Sequence, residues 1–534
     1  MRDDQHVPVV IAGGGPVGLA MALLLHRYAI DCVVLEKSAT TTDHPKSRGC
    51  WVRTMELFRQ WGIEQAIRDR GLQDKSDMFV YVESIAGQEF GRTRPEPNLG
   101  HTPAWKSLVA QDAVEEEILR VIAASPHVRV LFNTECEKFE ETNDGVRVHA
   151  RSRDGETSIF YASYLIAADG AGSSTRRAAG IDMVGPSTLA VMSNEYWTGD
   201  LSSLPVAKEA AGFMVIPSRP DLPRAAILNT NGRDRWLTVT QIGETQDERP
   251  RPWTEDEFAQ ITRGHVGLPD LDVRLLSRSI WRVSMQVAET FRKSRVFLVG
   301  DAAHRFPPTG GFGLNSGVQD AHNLAWKLAF VLRGWAGDKL LASYSSERRP
   351  VAQSNAAFSY GNRLRIGLTD DAVRSRNEDR IRFWIDDMDN HLHSIGQNLG
   401  HNYEDGAVIP DGTVAKALNS RIYVPTDRPG ARFPHIWLDP SRKHSTLDWF
   451  DQTFTLVTGP LGDDWLEAGR ATSEKTGLPI ALKRLPKADP ADGIQLGMRG
   501  AVLVRPDGHV AWRMPWLPSD PAAELASALS TLLH

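Results

Sequence analysis

Apolar residues along this chain follow two periods. Near the N-terminus, VPVVIAGGGPVGLAMALLLHRYAIDCVVLEK begins with β-formers at Val9 to Ile11 and breaks at glycines. It resumes with helical spacing from Leu19 to His26 and returns to an extended run from Cys32 to Leu35, which predicts strand, tight turn, helix and strand. Two further runs of the buried-strand kind open residues 164–180 and 295–329, and they end in Asp169-Gly170 and Gly300-Asp301. After the second, HRFPPTGGFG interrupts the pattern, and from about Leu314 apolar residues at 318, 321, 324, 325, 328 and 329 keep helical spacing. Residues 187–285 read differently: EYWTGDL, GFMVIPSRP, RAAILNT and RWLTVTQI are short β-rich runs between Gly, Pro and Asp turns, as in an antiparallel sheet. A helical stretch from about 340 to 398 leads into a Pro- and Gly-rich tail. There FTLVTG, a helix around Asp464 to Thr476, a hairpin about Pro506-Asp507-Gly508 and a final helix from about 521 are expected.

Composition narrows the ligand more than the fold. At 534 residues the chain has room for about three domains. Lys+Arg number 61 against Asp+Glu 67, which gives no basic surface for nucleic acid or anionic membrane and leaves a small molecule as the default ligand. Cys32, Cys50 and Cys136 form no C-x-x-C pair and no metal-ligand spacing, so a reducing cytoplasm is expected and no metal. MRDDQH lacks the basic start of a signal peptide, and the apolar run behind it is glycine-broken and short of the ~20 residues a membrane span needs.

Gly13, Gly15 and Gly18 supply G-x-G-x-x-G between the first strand and its helix. The first glycine allows the turn, the second lets main chain approach a pyrophosphate, and the third lets helix and strand touch. The helix start, where Pro16 fixes the backbone and Val17 follows, offers the unpaired N–H groups of its non-proline residues and a positive dipole end. Glu36 closes the second strand eighteen residues after the last glycine, where a carboxylate accepts from ribose hydroxyls, with Lys37 beside it. These features predict an adenine dinucleotide, NAD or FAD.

Together with that fingerprint, YLIAADGAGSSTRRAAG and RVFLVGDAAHRFPPTGGFGLNSGVQDAHNLAWKLA resemble the FAD-dependent aromatic hydroxylases of the para-hydroxybenzoate hydroxylase and phenol hydroxylase kind, over about the first 370 residues. The tail is similar to the thioredoxin-like C-terminal domain of the phenol and polyketide hydroxylase relatives, here without cysteine. The resemblance implies an α/β protein: a Rossmann-type FAD-binding domain, an antiparallel β-sheet substrate domain and a thioredoxin-like C-terminal domain. The expected boundaries are 1–76, 100–186 and 286–398 for the FAD-binding parts with the helical connector, 77–99 and 187–285 for the substrate domain, and 399–534 for the C-terminal domain.

The resemblance also assigns residues. Gly13, Gly15, Pro16, Val17, Gly18, Glu36 and Lys37 would hold the ADP half of FAD, Asp301 the ribityl chain, and Asp169 the flavin and nicotinamide together. Arg48 and Gln111 would supply a basic and an amide contact, although Asp169 can also cap the turn that follows and Arg48 can be a solvated surface charge. Pro308, Gly311 and Gly313 let main chain lie against a ring system, and the N–H groups of Leu314 and Asn315 at the helix start stabilise negative charge on reduced flavin. Phe306 and Pro307 would face the substrate. His304 is the one candidate for acid–base work, in a setting where a structural hydrogen bond is the commoner role. Trp197, Phe213 and Trp236 either line the pocket or form plain core.

The implied reaction uses NADPH or NADH and dioxygen to hydroxylate a phenolic or other electron-rich aromatic through a flavin C4a-hydroperoxide, in a protein without nucleic-acid or membrane partners and able to form a homodimer. Baeyer–Villiger insertion or epoxidation on a polyketide-like substrate is the alternative, and a non-catalytic flavin-binding protein the third reading. FMVIPSRP lacks the W-x-W-x-I-P element expected of a flavin halogenase.

Overall fold

The computed structural model describes residues 5–72, 77–245, 248, 251–487 and 489–534. The first four residues and the expected boundary at 76 lie outside the described residues. The strand Gln5–Ala12 runs parallel to Cys32–Leu35 on one side and Thr157–Ala167 on the other, with Val128–Leu131 and Val296–Leu298 continuing the sheet outward. Helices cover this sheet, so Val9, Val10, Ile11, Val33 and Val34 have no solvent exposure at all. That explains why their sequence shows unbroken apolar runs instead of alternation. The helix Pro16–Arg27 follows the first strand, and Phe312–Leu332 packs along it.

A second sheet has the order 274–283, 190–198, 235–243, 225–229, 212–215, 79–82, 89–92. It is antiparallel with one exception. Phe79–Val82 runs parallel to Gly212–Val215, because it enters from the first domain and no hairpin turn dictates its direction. On one face Val80, Val82, Trp197, Phe213, Ile227 and Trp236 form a core closed by Phe258 and Val266 of the helix Glu255–Val266. Burying each such aliphatic or phenylalanine side chain contributes roughly 1.5–3 kcal/mol. Trp197, Phe213 and Trp236 therefore belong to core, with the indole N–H groups of the two tryptophans satisfied by Thr238 Oγ1 at 2.8 Å and the Gly199 carbonyl at 3.0 Å. Tyr196 alternates to the other face and meets the His44 ring of the first domain edge-on.

The tail forms a third sheet, in which Phe454–Thr458 and Ile480–Arg484 are parallel through the helix Asp463–Thr476 and Ala501–Val504 and Val510–Met514 follow antiparallel. With the helix Pro521–Leu533 this is thioredoxin-like topology. Among the described residues no helix is long and apolar enough to cross a membrane.

Candidate functional site

The fingerprint turn is held by contacts that only glycine permits. Gly13 sits at φ +105°, and a Cβ there would lie 2.3 Å from the Ala168 carbonyl oxygen; a Cβ at Gly18 would lie 2.0 Å from the Gly13 oxygen. Gly15, by contrast, faces open space, which suits close approach of a ligand to main chain. The helix it opens has no side-chain cap, so its first N–H groups remain available. Glu36 accepts from the Gly14 and Ser38 N–H groups, both at 2.7 Å, and so stands fixed beside the turn. Lys37 is exposed.

The late glycine-rich stretch meets this turn directly. Val17 wedges between Gly300 and Gly317, where an added Cβ would lie 3.0 and 2.4 Å from Val17 Cγ2. Gly300, at φ +59°, opens a short 3-10 turn that carries Asp301. Asp301 is crowded by neighbouring groups and yet its side chain is exposed, so it is open to solvent or to a ligand. Burial pushes its carboxyl pKa up, partly opposed by His304, Arg305 and Lys46. The start of the helix Phe312–Leu332 comes up to the same carboxylate: a Cβ on Gly313 would be 3.9 Å from Asp301 Oδ1. This helix too lacks a side-chain cap, and its cap position is Gly311 at φ +67°.

Trp51, which the sequence reading passed over, pins that loop. Its indole N–H donates to the Gly310 carbonyl at 2.7 Å, and its main-chain N–H donates to Asn315 Oδ1 at 2.7 Å. Asn315 Nδ2 in turn donates to the carbonyls of Gly49 and Gly311. The Asn315 side chain is therefore a staple between two loops. Leu314 and Pro307 are buried, Pro308 is exposed, and the half-buried Phe306 ring stacks on His304 with centroids 4.7 Å apart.

Arg48 is not a surface charge. It lies deep, donates to the main-chain carbonyls of Ala211 and Asn229 at 2.6 and 2.8 Å, and has no carboxylate partner among the described residues. Burial pulls its guanidinium down to about 10. Gln111 donates its amide to Glu115 at 2.8 Å and its main-chain N–H to the Ser47 carbonyl at 2.9 Å, bracing the Arg48 loop. Asp169 accepts from Ser173 Oγ and the Thr175 N–H, so its carboxylate caps the following turn. His304 has no solvent exposure; its Nε2 is 2.7 Å from Asp320 Oδ2. Asp320 also accepts from the Gly300 N–H at 3.2 Å and Arg348 Nε at 2.8 Å. Asp320 and Arg348 were missed because nothing local in the sequence marks them. Among the described residues no group of His, Cys, Asp and Glu is placed to hold a metal.

A sheet with parallel central strands and a glycine-rich turn at its first helix, a second glycine-rich turn at an uncapped helix, and a largely antiparallel second sheet together form the frame of a flavoprotein of the hydroxylase class. Residues 6–359 match the FAD binding domain family, and residues 426–534 match the family described as aromatic-ring hydroxylase, C-terminal. The chain is 34% identical over 564 residues to tetracenomycin A2 monooxygenase-dioxygenase of Streptomyces glaucescens, covering 99% of this chain and 97% of that protein. It is 33% identical to 4-methyl-5-nitrocatechol 5-monooxygenase of Burkholderia sp, covering 99% and 98%. The crystal structure of the flavin-dependent monooxygenase PieE in complex with FAD and substrate superposes with a TM-score of 0.92 at 30% identity over 99% of both chains. The chain belongs to the FAD-dependent aromatic-ring hydroxylases: a monooxygenase with FAD as cofactor and NAD(P)H as reductant.

Proposed function

We propose that the space bordered by Asp301, Arg48 and the start of the helix Phe312–Leu332 seats the flavin, and that the oxidised substrate is a phenolic or similarly electron-rich aromatic. In this arrangement Gly13, Gly15, Val17 and Gly18 would bind the pyrophosphate by main chain at the helix start that Pro16 fixes, Glu36 would accept from the adenosine ribose with Lys37 beside it, and Asp301 would accept from the ribityl hydroxyls. Arg48 and the turn after Asp169 flank the ring, with Gln111 bracing the Arg48 loop. Pro308, Gly311 and Gly313 supply main chain for the ring to lie on, and the N–H groups of Leu314 and Asn315, with the helix dipole, favour negative charge there. Bound FAD, once reduced, supplies activated dioxygen for transfer to an aromatic carbon.

The chain's own task is then to position and to keep water out. Trp51 and the bond from Thr309 Oγ1 to the Ser359 carbonyl, 2.6 Å, hold the loop rigid, and Pro307 and Phe306 close it. His304, already committed to Asp320, orients the turn and does not shuttle a substrate proton. The cytoplasm, where Cys32, Cys50 and Cys136 stay reduced as buried free thiols, is the proposed compartment, and a homodimer the proposed assembly.

The observation that carries this reading is Asp301: a crowded carboxylate with an exposed side chain and no side-chain partner among the described residues. A crowded, partly desolvated carboxylate without a protein donor is well placed to accept from the hydroxyls of a ligand. Asp301→Ala removes charge-assisted hydrogen bonds of roughly 1.5–3 kcal/mol, so FAD affinity should fall about 10- to 100-fold. Equilibrium dialysis of folded apoprotein with FAD measures this, and unchanged affinity places the ribityl chain elsewhere.

A further inference from the structure

A groove of about 580 Å³ opens on the outside of the flavin-site loops, between the start of the helix Gln111–Ile122 and the hairpin joining 225–229 to 235–243. That volume is within the roughly 300–1,000 Å³ of small-molecule sites. Its back wall is shared with the flavin site: Asn229, next to the groove-lining Thr230, receives Arg48, and Gln111, next to the groove-lining Ala110, holds Ser47. Its lining is polar and of both signs. Arg70, Arg233 and Arg235 bring guanidinium groups, Asp112 and Asp234 bring carboxylates, and Tyr196 brings an aromatic ring that touches His44 behind it. Arg70 is already paired with Glu116, but the exposed Arg233 side chain has no ion-pair partner among the described residues, and among those residues the Arg235 guanidinium hydrogen-bonds the Tyr196 hydroxyl alone, at 3.3 Å. Asp112 Oδ1 is buried without a hydrogen-bond partner.

We infer that this groove is where the nicotinamide dinucleotide docks, its phosphates on Arg233 and Arg235 and a ribose hydroxyl on Asp112, while Asp234, which accepts from Asn231 and Thr198, holds the hairpin in shape. Guanidinium groups match phosphate geometry, and an unpartnered buried carboxylate oxygen calls for a hydroxyl donor. The mixture of signs also argues against a plain aromatic acid, whose anionic group would meet the Asp112 carboxylate beside the two guanidinium groups. The inference rests on NAD(P)H being the reductant. It deepens that assignment by placing a binding surface for which the chain has no second G-x-G-x-x-G.

The test is anaerobic reduction of the flavin in purified holoenzyme, followed by absorbance as NADPH or NADH is titrated, with dithionite as control. In the Arg233→Ala/Arg235→Gln double variant the apparent Kd for the nucleotide should rise at least tenfold, while FAD content and binding of the aromatic substrate stay as in the parent. Asp112→Asn, which keeps the shape, should weaken nucleotide binding by a smaller factor. An unchanged Kd in the double variant, with full FAD content, overturns the groove, and so does weakened binding of the aromatic substrate in place of the nucleotide. A parent flavin that dithionite reduces but neither nucleotide does overturns the functional reading as well.

Discussion

At the scale of single residues, the site depends on missing side chains as much as on present ones. Gly317 has only room for hydrogen beside Val17, since a Cβ would lie 2.4 Å from Cγ2 and 3.1 Å from the Gly300 Cα. Gly317→Ala should therefore destabilise by about 1–3 kcal/mol through overpacking, and Val17→Ala in the same chain should restore part of the loss. Urea unfolding of the two single variants and the double variant measures the coupling; strict additivity would mean that the two positions do not touch. The glycines of the fingerprint were legible because their spacing is fixed by one short turn. Gly317 was hidden because the residue that crowds it belongs to a segment 300 positions earlier. Asp320 was hidden for the same reason. In isolation it reads as a polar interruption of an apolar stripe, and its meaning comes from His304 and from Arg348, 28 residues on.

At the scale of elements, the strands and helices with strong period were legible and their polar interiors were not. The helix Phe312–Leu332 was expected from about Leu314, and it begins two residues earlier, at the glycine cap. Along it Asp320, His322, Asn323 and Lys327 are all buried, contrary to what a polar residue suggests, because their partners arrive from other elements. Asn323 and Trp326 donate to Asp507 Oδ2, both at 3.3 Å, from the hairpin tip of the C-terminal sheet. Arg505 beside it makes a two-pronged bond to Glu347, at 2.8 and 2.7 Å. The Asp507 carbonyl also accepts from Arg53, two residues after the loop-pinning Trp51, at 2.6 Å. The hairpin is thus a wedge that clamps the two elements flanking the proposed flavin loop. Asp507→Ala leaves Arg505 paired with Glu347 but removes its second carboxylate and the acceptor for Asn323 and Trp326, which should cost about 1–3 kcal/mol. FAD fluorescence during urea unfolding should report cofactor release at lower urea than in the parent. Release at the same midpoint would separate the C-terminal domain from the flavin site.

At the scale of the whole molecule, the first domain and the C-terminal sheet share one buried polar seam, and that seam governs how the protein responds to acid. The FAD-binding part and the C-terminal part that follows it were legible from the motifs, but the way the tail plugs into the first domain was not, since an ion pair spanning 158 residues and a hydrogen bond spanning 184 leave no local pattern. Within the seam His322 is buried beside Trp61, and burial first, then Arg53, hold its imidazole down to about 3. His391 and His401, also set deep, are held at about 4 and about 3, chiefly by burial. Unfolded, each would ionise near 6.5. Between those values the unfolded chain binds protons that the folded chain refuses, so folding stability falls as pH drops below about 6.5 and continues to fall toward 4. Each such histidine contributes about 1.4 kcal/mol per pH unit at most. Urea midpoints measured between pH 8 and 5 should therefore decline steadily below 6.5, and His322→Gln, which cannot take up the proton, should flatten the slope by up to one proton's worth. A slope unchanged by that substitution would mean that the imidazole is already charged in the folded protein, against the burial that surrounds it.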